Sequence, residues 1–136
     1  MSERREGGCS CGAVRYAVEG RPNRVGLCHC TLCRKETGSV FMPFAVFSTG
    51  RFSFSGDVRH FRHRYFCPNC GSRIFSYEAG APEMEIKLGS LDQAPTDLDV
   101  TYEIWVKRRE PWLPAIPGAE QFQEDRPKAV AAHSPQ

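Results

Sequence analysis

The chain has 136 residues and is 40% apolar, enough for one domain with one modest core, so a two-domain reading is excluded. Eighteen basic against sixteen acidic side chains leave a net charge of +2, and so small a surplus excludes a global positive field directed at nucleic acid or an anionic membrane. The first residues carry no apolar stretch of the secretory kind, and the longest apolar run, Val40 to Phe47, is interrupted by Pro43 and falls far short of the roughly 18 residues of a membrane helix, so a soluble, cytoplasmic protein is expected.

In chain order, residues 1–6 read as a flexible start. Val14, Tyr16 and Val18 then alternate with Ala13, Arg15 and Ala17 at the period of two of a half-buried strand. Thr31 to Thr37 is the one early helical turn, ended by Gly38 as a C-terminal cap. Short strand-like runs follow at Phe41 to Phe47, Phe52 to Phe54, Val58 to Phe66, Arg73 to Tyr77, Met84 to Leu88 and Val100 to Val106, with a second short helical segment over Ser90 to Ala94. Gly or Pro recurs every few residues to about residue 82, and the fold class is therefore mainly β, as folded or packed sheets. After Trp112 the chain turns irregular, and from Gln123 it has the small, polar composition of a flexible tail. These features delimit a domain over residues 7–122 between flexible segments 1–6 and 123–136. No phosphate-binding glycine loop occurs.

The seven cysteines are the chain's unusual feature. An odd number in a reducing compartment argues for metal or catalysis rather than a disulfide framework. They fall into three groups: Cys9-Ser10-Cys11-Gly12, Cys28-His29-Cys30-Thr31-Leu32-Cys33 and Cys67-Pro68-Asn69-Cys70-Gly71. In the last, Pro68 pre-sets a tight turn and Gly71 permits the backbone conformation that aims amides at sulfur, the pattern of a zinc knuckle. Residues two apart on a strand share a face, so the pairs Cys9/Cys11 and Cys28/Cys30 can each present two sulfurs together. A structural zinc takes four protein ligands and a reactive one keeps a position open. Cys28, Cys30 and Cys33 are local enough to form a three-ligand site, leaving Cys9, Cys11, Cys67 and Cys70 to close a four-thiolate site. The competing readings are one zinc with three buried thiols, and an iron–sulfur cluster. His29 points away from its neighbours' sulfurs if the segment is extended, which makes it a supporting or surface histidine rather than a ligand.

These residues resemble the glutathione-dependent formaldehyde-activating enzymes, a family that shares its domain with centromere protein V. The resemblance runs from Gly7 to Phe122 and rests on Gly8-Cys9-Ser10-Cys11-Gly12-Ala13-Val14-Arg15-Tyr16, on Cys28-His29-Cys30-Thr31-Leu32-Cys33-Arg34, on Gly38-Ser39, and on Arg64-Tyr65-Phe66-Cys67-Pro68-Asn69-Cys70-Gly71-Ser72. It implies a β-tent fold of stacked antiparallel sheets and two zinc ions per chain. The structural zinc is assigned to Cys9, Cys11, Cys67 and Cys70, and the catalytic one to Cys28, Cys30 and Cys33. The implied reaction is that of a carbon–sulfur lyase, an S-hydroxymethylglutathione synthase joining glutathione and formaldehyde.

A zinc already carrying three thiolates is a poor Lewis acid for carbonyls, but it holds a further thiol deprotonated and nucleophilic. The expected partner is thus a small-molecule thiol such as glutathione, whose carboxylates suit arginine forks. Arg59-His60-Phe61-Arg62-His63-Arg64 is the densest basic run; read as one strand it places His60, Arg62 and Arg64 on one face and Phe61, His63 and Tyr65 on the other, with Phe61 and Tyr65 in the core. Lys107-Arg108-Arg109 is a similar surface run, and Phe44, Trp105 and Trp112 are expected in the core or a pocket wall. The alternative function is a non-catalytic zinc-binding module for a protein or RNA partner. The sequence names neither the proton donor nor the oligomeric state.

Overall fold

The computed structural model describes residues 3–127. Within that stretch the contacts cluster into two compact units, each assembled from two pieces of chain. The first takes the residues up to Asn23 together with Ala45–Asp97, and the second takes Arg24–Phe44 with the residues from Leu98 onward. The architecture is mainly β, with antiparallel and mixed sheets and one α-helix among the described residues.

In the first unit, strands β1 (Arg4–Gly8), β2 (Arg15–Glu19) and, after β3 (Arg24–Cys28) and β4 (Met42–Ser48), β5 (Phe52–Ser55) form an antiparallel sheet in the order β1-β2-β5. Val14, Tyr16 and Val18 are buried as the alternation predicts, but Ala17 between them is buried as well, so the strand is not half-exposed; Tyr16 meets Phe75 of a second layer. That layer is an antiparallel ladder of β6 (Arg59–Phe61), β7 (Arg64–Phe66), β8 (Arg73–Ser76) and β9 (Glu83–Lys87). Phe75 of β8 is the centre of an aromatic cluster, with Phe52 at 4.8 Å, Tyr65 at 5.0 Å, Phe54 at 5.1 Å and Tyr16 at 6.4 Å between ring centroids. Val18, Phe47, Ile74 and Ile86 complete this core.

The second unit is built around β3 (Arg24–Cys28) and β10 (Tyr102–Ile104), which run parallel, with β11 (Glu120–Gln121) parallel to β10 on its other edge. Helix α1 (Thr31–Thr37) follows β3 directly and ends, as expected, at Gly38 in the left-handed conformation (φ 74°). Of strand β4 (Met42–Ser48), residues 42–44 are counted with the second unit and residues 45–48 with the first. Gly26 on β3 is required by close approach: a Cβ there would lie 2.6 Å from Cζ of Tyr102 and 2.8 Å from Cζ of Phe44, whose rings meet edge to face at 6.0 Å.

Several sequence expectations are corrected. Val58 to Phe66 is two strands, because Arg62 enters the left-handed region (φ 55°) and turns the chain into a hairpin. His60 therefore faces Tyr65, ring on ring at 4.7 Å, while Phe61 is 63% exposed rather than in the core. The segment Ser90 to Ala94 is not helical; a single 3-10 turn over Leu88–Ser90 precedes a bridge from Leu91 to Gly7. Strand order begins at Arg4, inside the segment expected to be flexible. At the other end Trp105 binds the expected tail, its main-chain N–H donating to Glu124 O at 3.1 Å and its indole N–H to Asp125 at 2.8 Å. The rest of that tail, residues 128–136, lies outside the described residues. Trp112 is 69% exposed and belongs to no core. Among the described residues no helix is long and apolar enough to cross a membrane.

Candidate metal centres

The four-cysteine group is assembled entirely in the first unit. Cys9, Cys11, Cys67 and Cys70 bring their sulfurs within 4.8 Å of one another. Two of the spacings, Cys9 to Cys11 at 3.6 Å and Cys11 to Cys67 at 3.8 Å, match the edge of a sulfur tetrahedron, about 3.8 Å when each zinc–sulfur bond is about 2.3 Å. The donor set thus fits a closed tetrahedral zinc. Cys9 and Cys11 do not share a strand, as the alternation argument had them. Strand β1 stops at Gly8, and the pair sits in a tight turn closed by Gly12 N–H on Cys9 O at 3.2 Å. The second turn, between β7 and β8, is closed by Gly71 N–H on Cys67 O at 2.8 Å. Gly12 (φ 84°) and Gly71 (φ 80°) are both left-handed, and each directly follows the second cysteine of its loop, although the first closure spans three residues and the second four.

The surroundings supply donors to sulfur. Val14 N–H reaches Cys9 Sγ at 3.2 Å, and the Asn69 amide donates to Cys11 Sγ at 3.3 Å. Ser72 Oγ stands 3.2 Å from Cys70 Sγ and also accepts from the Ser10 main chain at 3.1 Å, coupling the loops. The Ser10 and Ser72 side chains hold the Cys70 thiol down to about 5, while burial pushes Cys67 up to about 11.

The three-cysteine group belongs to the second unit. Cys28 is the last residue of β3, Cys30 is the N-cap of α1, and Cys33 lies in the first turn of that helix. Their sulfurs also lie within 4.8 Å of one another. The shared face expected for Cys28 and Cys30 is replaced by a strand-to-helix turn, in which Cys30 N–H points at Cys28 Sγ (3.4 Å) and Cys33 N–H at Cys30 Sγ (3.3 Å). Burial raises the Cys30 thiol against the opposing Cys33 amide. Three soft sulfurs suit zinc, and among the described residues no fourth His, Cys, Asp or Glu joins this group.

His29, between two of these cysteines, is not a member of that group and is not on the surface. It is completely buried, with Nε2 at 2.7 Å from Glu103 Oε1. Glu103, in β10, was not singled out from the sequence, although a lone acid inside the strand-like run Val100 to Val106 is a usable signal. Its carboxyl is pushed up by burial, yet the Ile116 N–H, the Gln121 amide, His29 and Arg109 together bring it below the usual range. Arg109 is accordingly drawn inward from the expected surface run, whereas Lys107 and Arg108 lie over the Trp105 ring at 5.2 and 5.9 Å. The other basic run forms the hairpin β6–β7, where His60, Arg62, Arg64, Tyr65 and Tyr77 border a cavity of about 740 Å³.

A mainly β chain with two thiol clusters, one of four and one of three, has the donor sets of a two-metal thiolate protein. Residues 4–108 match the family described as glutathione-dependent formaldehyde-activating enzyme, and the chain belongs to that family. It is 32% identical over 81 residues to an uncharacterised lyase of Schizosaccharomyces pombe, an alignment covering 55% of this chain and 59% of that one. It is 29% identical over 101 residues to a putative glutathione-dependent formaldehyde-activating enzyme of Halomonas elongata, covering 58% and 59%. The chain thus spans about three-fifths of the length of these curated relatives. A crystal structure of a Rhodobacter sphaeroides protein shares the fold, with a TM-score of 0.51 and 22% identity over 70% of this chain and 96% of that one.

Proposed function

We propose that this protein is a zinc-dependent carbon–sulfur lyase that makes or cleaves the adduct of glutathione with a small aldehyde such as formaldehyde. The observation that carries the reading is the incomplete thiol set: Cys28, Cys30 and Cys33 converge without a fourth protein donor among the described residues, beside a second group that is complete. Family membership supports the same chemistry. Cys9, Cys11, Cys67 and Cys70 would hold a structural zinc, and Cys28, Cys30 and Cys33 a catalytic one. When bound at the three-thiolate site, zinc would keep a substrate thiol ionised and nucleophilic at neutral pH.

The chain's own contribution is to orient. Amide N–H groups of Cys30 and Cys33 aim at two of the sulfurs, and Arg34, ion-paired to Glu110 at 2.6 Å with Nη1 on Arg108 O at 3.1 Å, ties α1 to the segment after β10. The overall reaction adds the thiol S–H across the aldehyde C=O, forming one carbon–sulfur and one O–H bond, and needs no oxidant or reductant. A cytoplasmic setting keeps seven cysteines available for this role.

The test is binding followed by turnover. Glutathione should bind the zinc-loaded protein through sulfur and release close to one proton at neutral pH, whereas S-methylglutathione, which keeps both carboxylates, should bind much more weakly. Exchange NMR should then show wild-type protein interconverting formaldehyde, glutathione and their adduct faster than the uncatalysed background, and Cys30→Ser should not. A wild-type rate equal to background rejects formaldehyde. Failure of any thiol to bind makes the non-catalytic zinc module the better reading.

A further inference from the structure

The buried charge of Glu103 has a use beyond packing. The residue is 1% exposed, and its carboxylate gathers donors from four places. His29 Nε2 lies at 2.7 Å and Arg109 Nη2 at 3.6 Å from Oε1, while Ile116 N–H donates to Oε2 at 2.7 Å and the Gln121 amide at 3.0 Å. The residue between Cys28 and Cys30 is therefore gripped twice by β10: its ring by Glu103, and its main-chain N–H by Ile104 O at 3.1 Å. Two apolar side chains of similar size often stabilise such a core at least as well as a buried polar pair, since a buried pair must offset its own desolvation. What a polar pair adds is direction, because a ring bonded at one nitrogen to a fixed carboxylate has one orientation. Among the described residues the other ring nitrogen, Nδ1, is buried without a partner, as is Nε of Arg109. The first of these costs falls inside the three-cysteine loop.

We propose that Glu103 is a positioning residue for the three-thiolate site: through His29 it sets the Cys28-His29-Cys30 turn in the conformation that gathers the sulfurs before any metal arrives. The proposal rests on the reading that Cys28, Cys30 and Cys33 hold zinc. Groups that orient metal ligands in this way typically change metal affinity 10- to 100-fold when removed.

Zinc release from the fully loaded protein into a chromophoric chelator should occur in two phases, and Cys30→Ser identifies the phase belonging to the three-thiolate site by abolishing it. Glu103→Gln should accelerate that phase about 10- to 100-fold and leave the other unchanged; His29→Phe should do the same, with the double variant no faster than either single one. Equal acceleration of both phases would mean a general loss of stability and overturn the proposal, as would an unaltered fast phase in Glu103→Gln. Retention of both phases in Cys30→Ser would instead remove the zinc reading beneath it. Wild-type protein provides a check independent of any variant's folding: with only the four-thiolate site loaded, 15N NMR should already show the slowly exchanging Nε2–H of His29. A signal that arises only after the second zinc binds would show that metal orders the turn, against the proposal.

Discussion

Tyr16 shows how one buried hydroxyl ties stability to pH. Its oxygen lies 2.7 Å from Ser90 Oγ inside the aromatic cluster, and burial pushes its ionisation up to about 12. An unfolded tyrosine ionises near pH 10. Between these values the unfolded chain has lost a proton that the folded one keeps, so the stability present below pH 10 falls by about 1.4 kcal/mol per pH unit and is lost as pH rises towards 12. Urea unfolding at pH 9.5 and 11 should register the decline, and Tyr16→Phe should flatten it; an equally steep fall in that variant would place the effect elsewhere. Gly26 makes a steric prediction of the same size. Gly26→Ala drives a methyl into the Phe44–Tyr102 contact, and such overpacking costs about 1–3 kcal/mol, visible as a lowered melting temperature.

Among the elements, the paired cysteine turns carry the largest expected effect. Structural zinc contributes an apparent ~10–16 kcal/mol in zinc-finger peptides, as much as a whole domain's stability. Cys70→Ser should consequently yield little soluble folded protein, whereas Cys30→Ser, at a site whose three sulfurs all come from residues 28–33, should remain folded. Circular dichroism of the two variants checks this, and equal damage would dissolve the division of roles. The elements also show what was legible in the sequence. Gly38 and Gly71 announced the helix end and the turn at Cys67 to Cys70, because each stands where a left-handed residue is needed, whereas the turn before Gly12, left-handed as well, was read as part of a strand. The hairpin between β6 and β7 was hidden, since its left-handed residue is Arg62 and no glycine or asparagine marks it. Strand β3 was missed for another reason: Arg24-Val25-Gly26-Leu27-Cys28 is buried from Val25 onward, so no alternation is written into it.

At the scale of the whole molecule, the division of the cysteines into four and three could be read from spacing, and the sulfurs do converge in those sets. The clasp on His29 could not, because Glu103 lies 74 residues away in sequence and parallel pairing leaves no local trace. Protein purified without chelator should contain two zincs per chain, and mild chelation should remove one well before the other; elemental analysis giving one metal, or chiefly iron, would contradict this. The interleaving of the units also sets an order of assembly during synthesis. Every sulfur of the four-cysteine group has been made once Cys70 is added, and its unit closes at Asp97. The turn at Cys28 to Cys33 emerges far earlier, yet the strand beside it starts only at Tyr102, and the contacts at Ile116 and Gln121 come later still. At a synthesis rate of about 5–20 residues per second, the early loop waits several seconds for its supports. Three bare thiols are therefore on view in the nascent chain, open to oxidation or to the wrong metal, until Gln121 has been added.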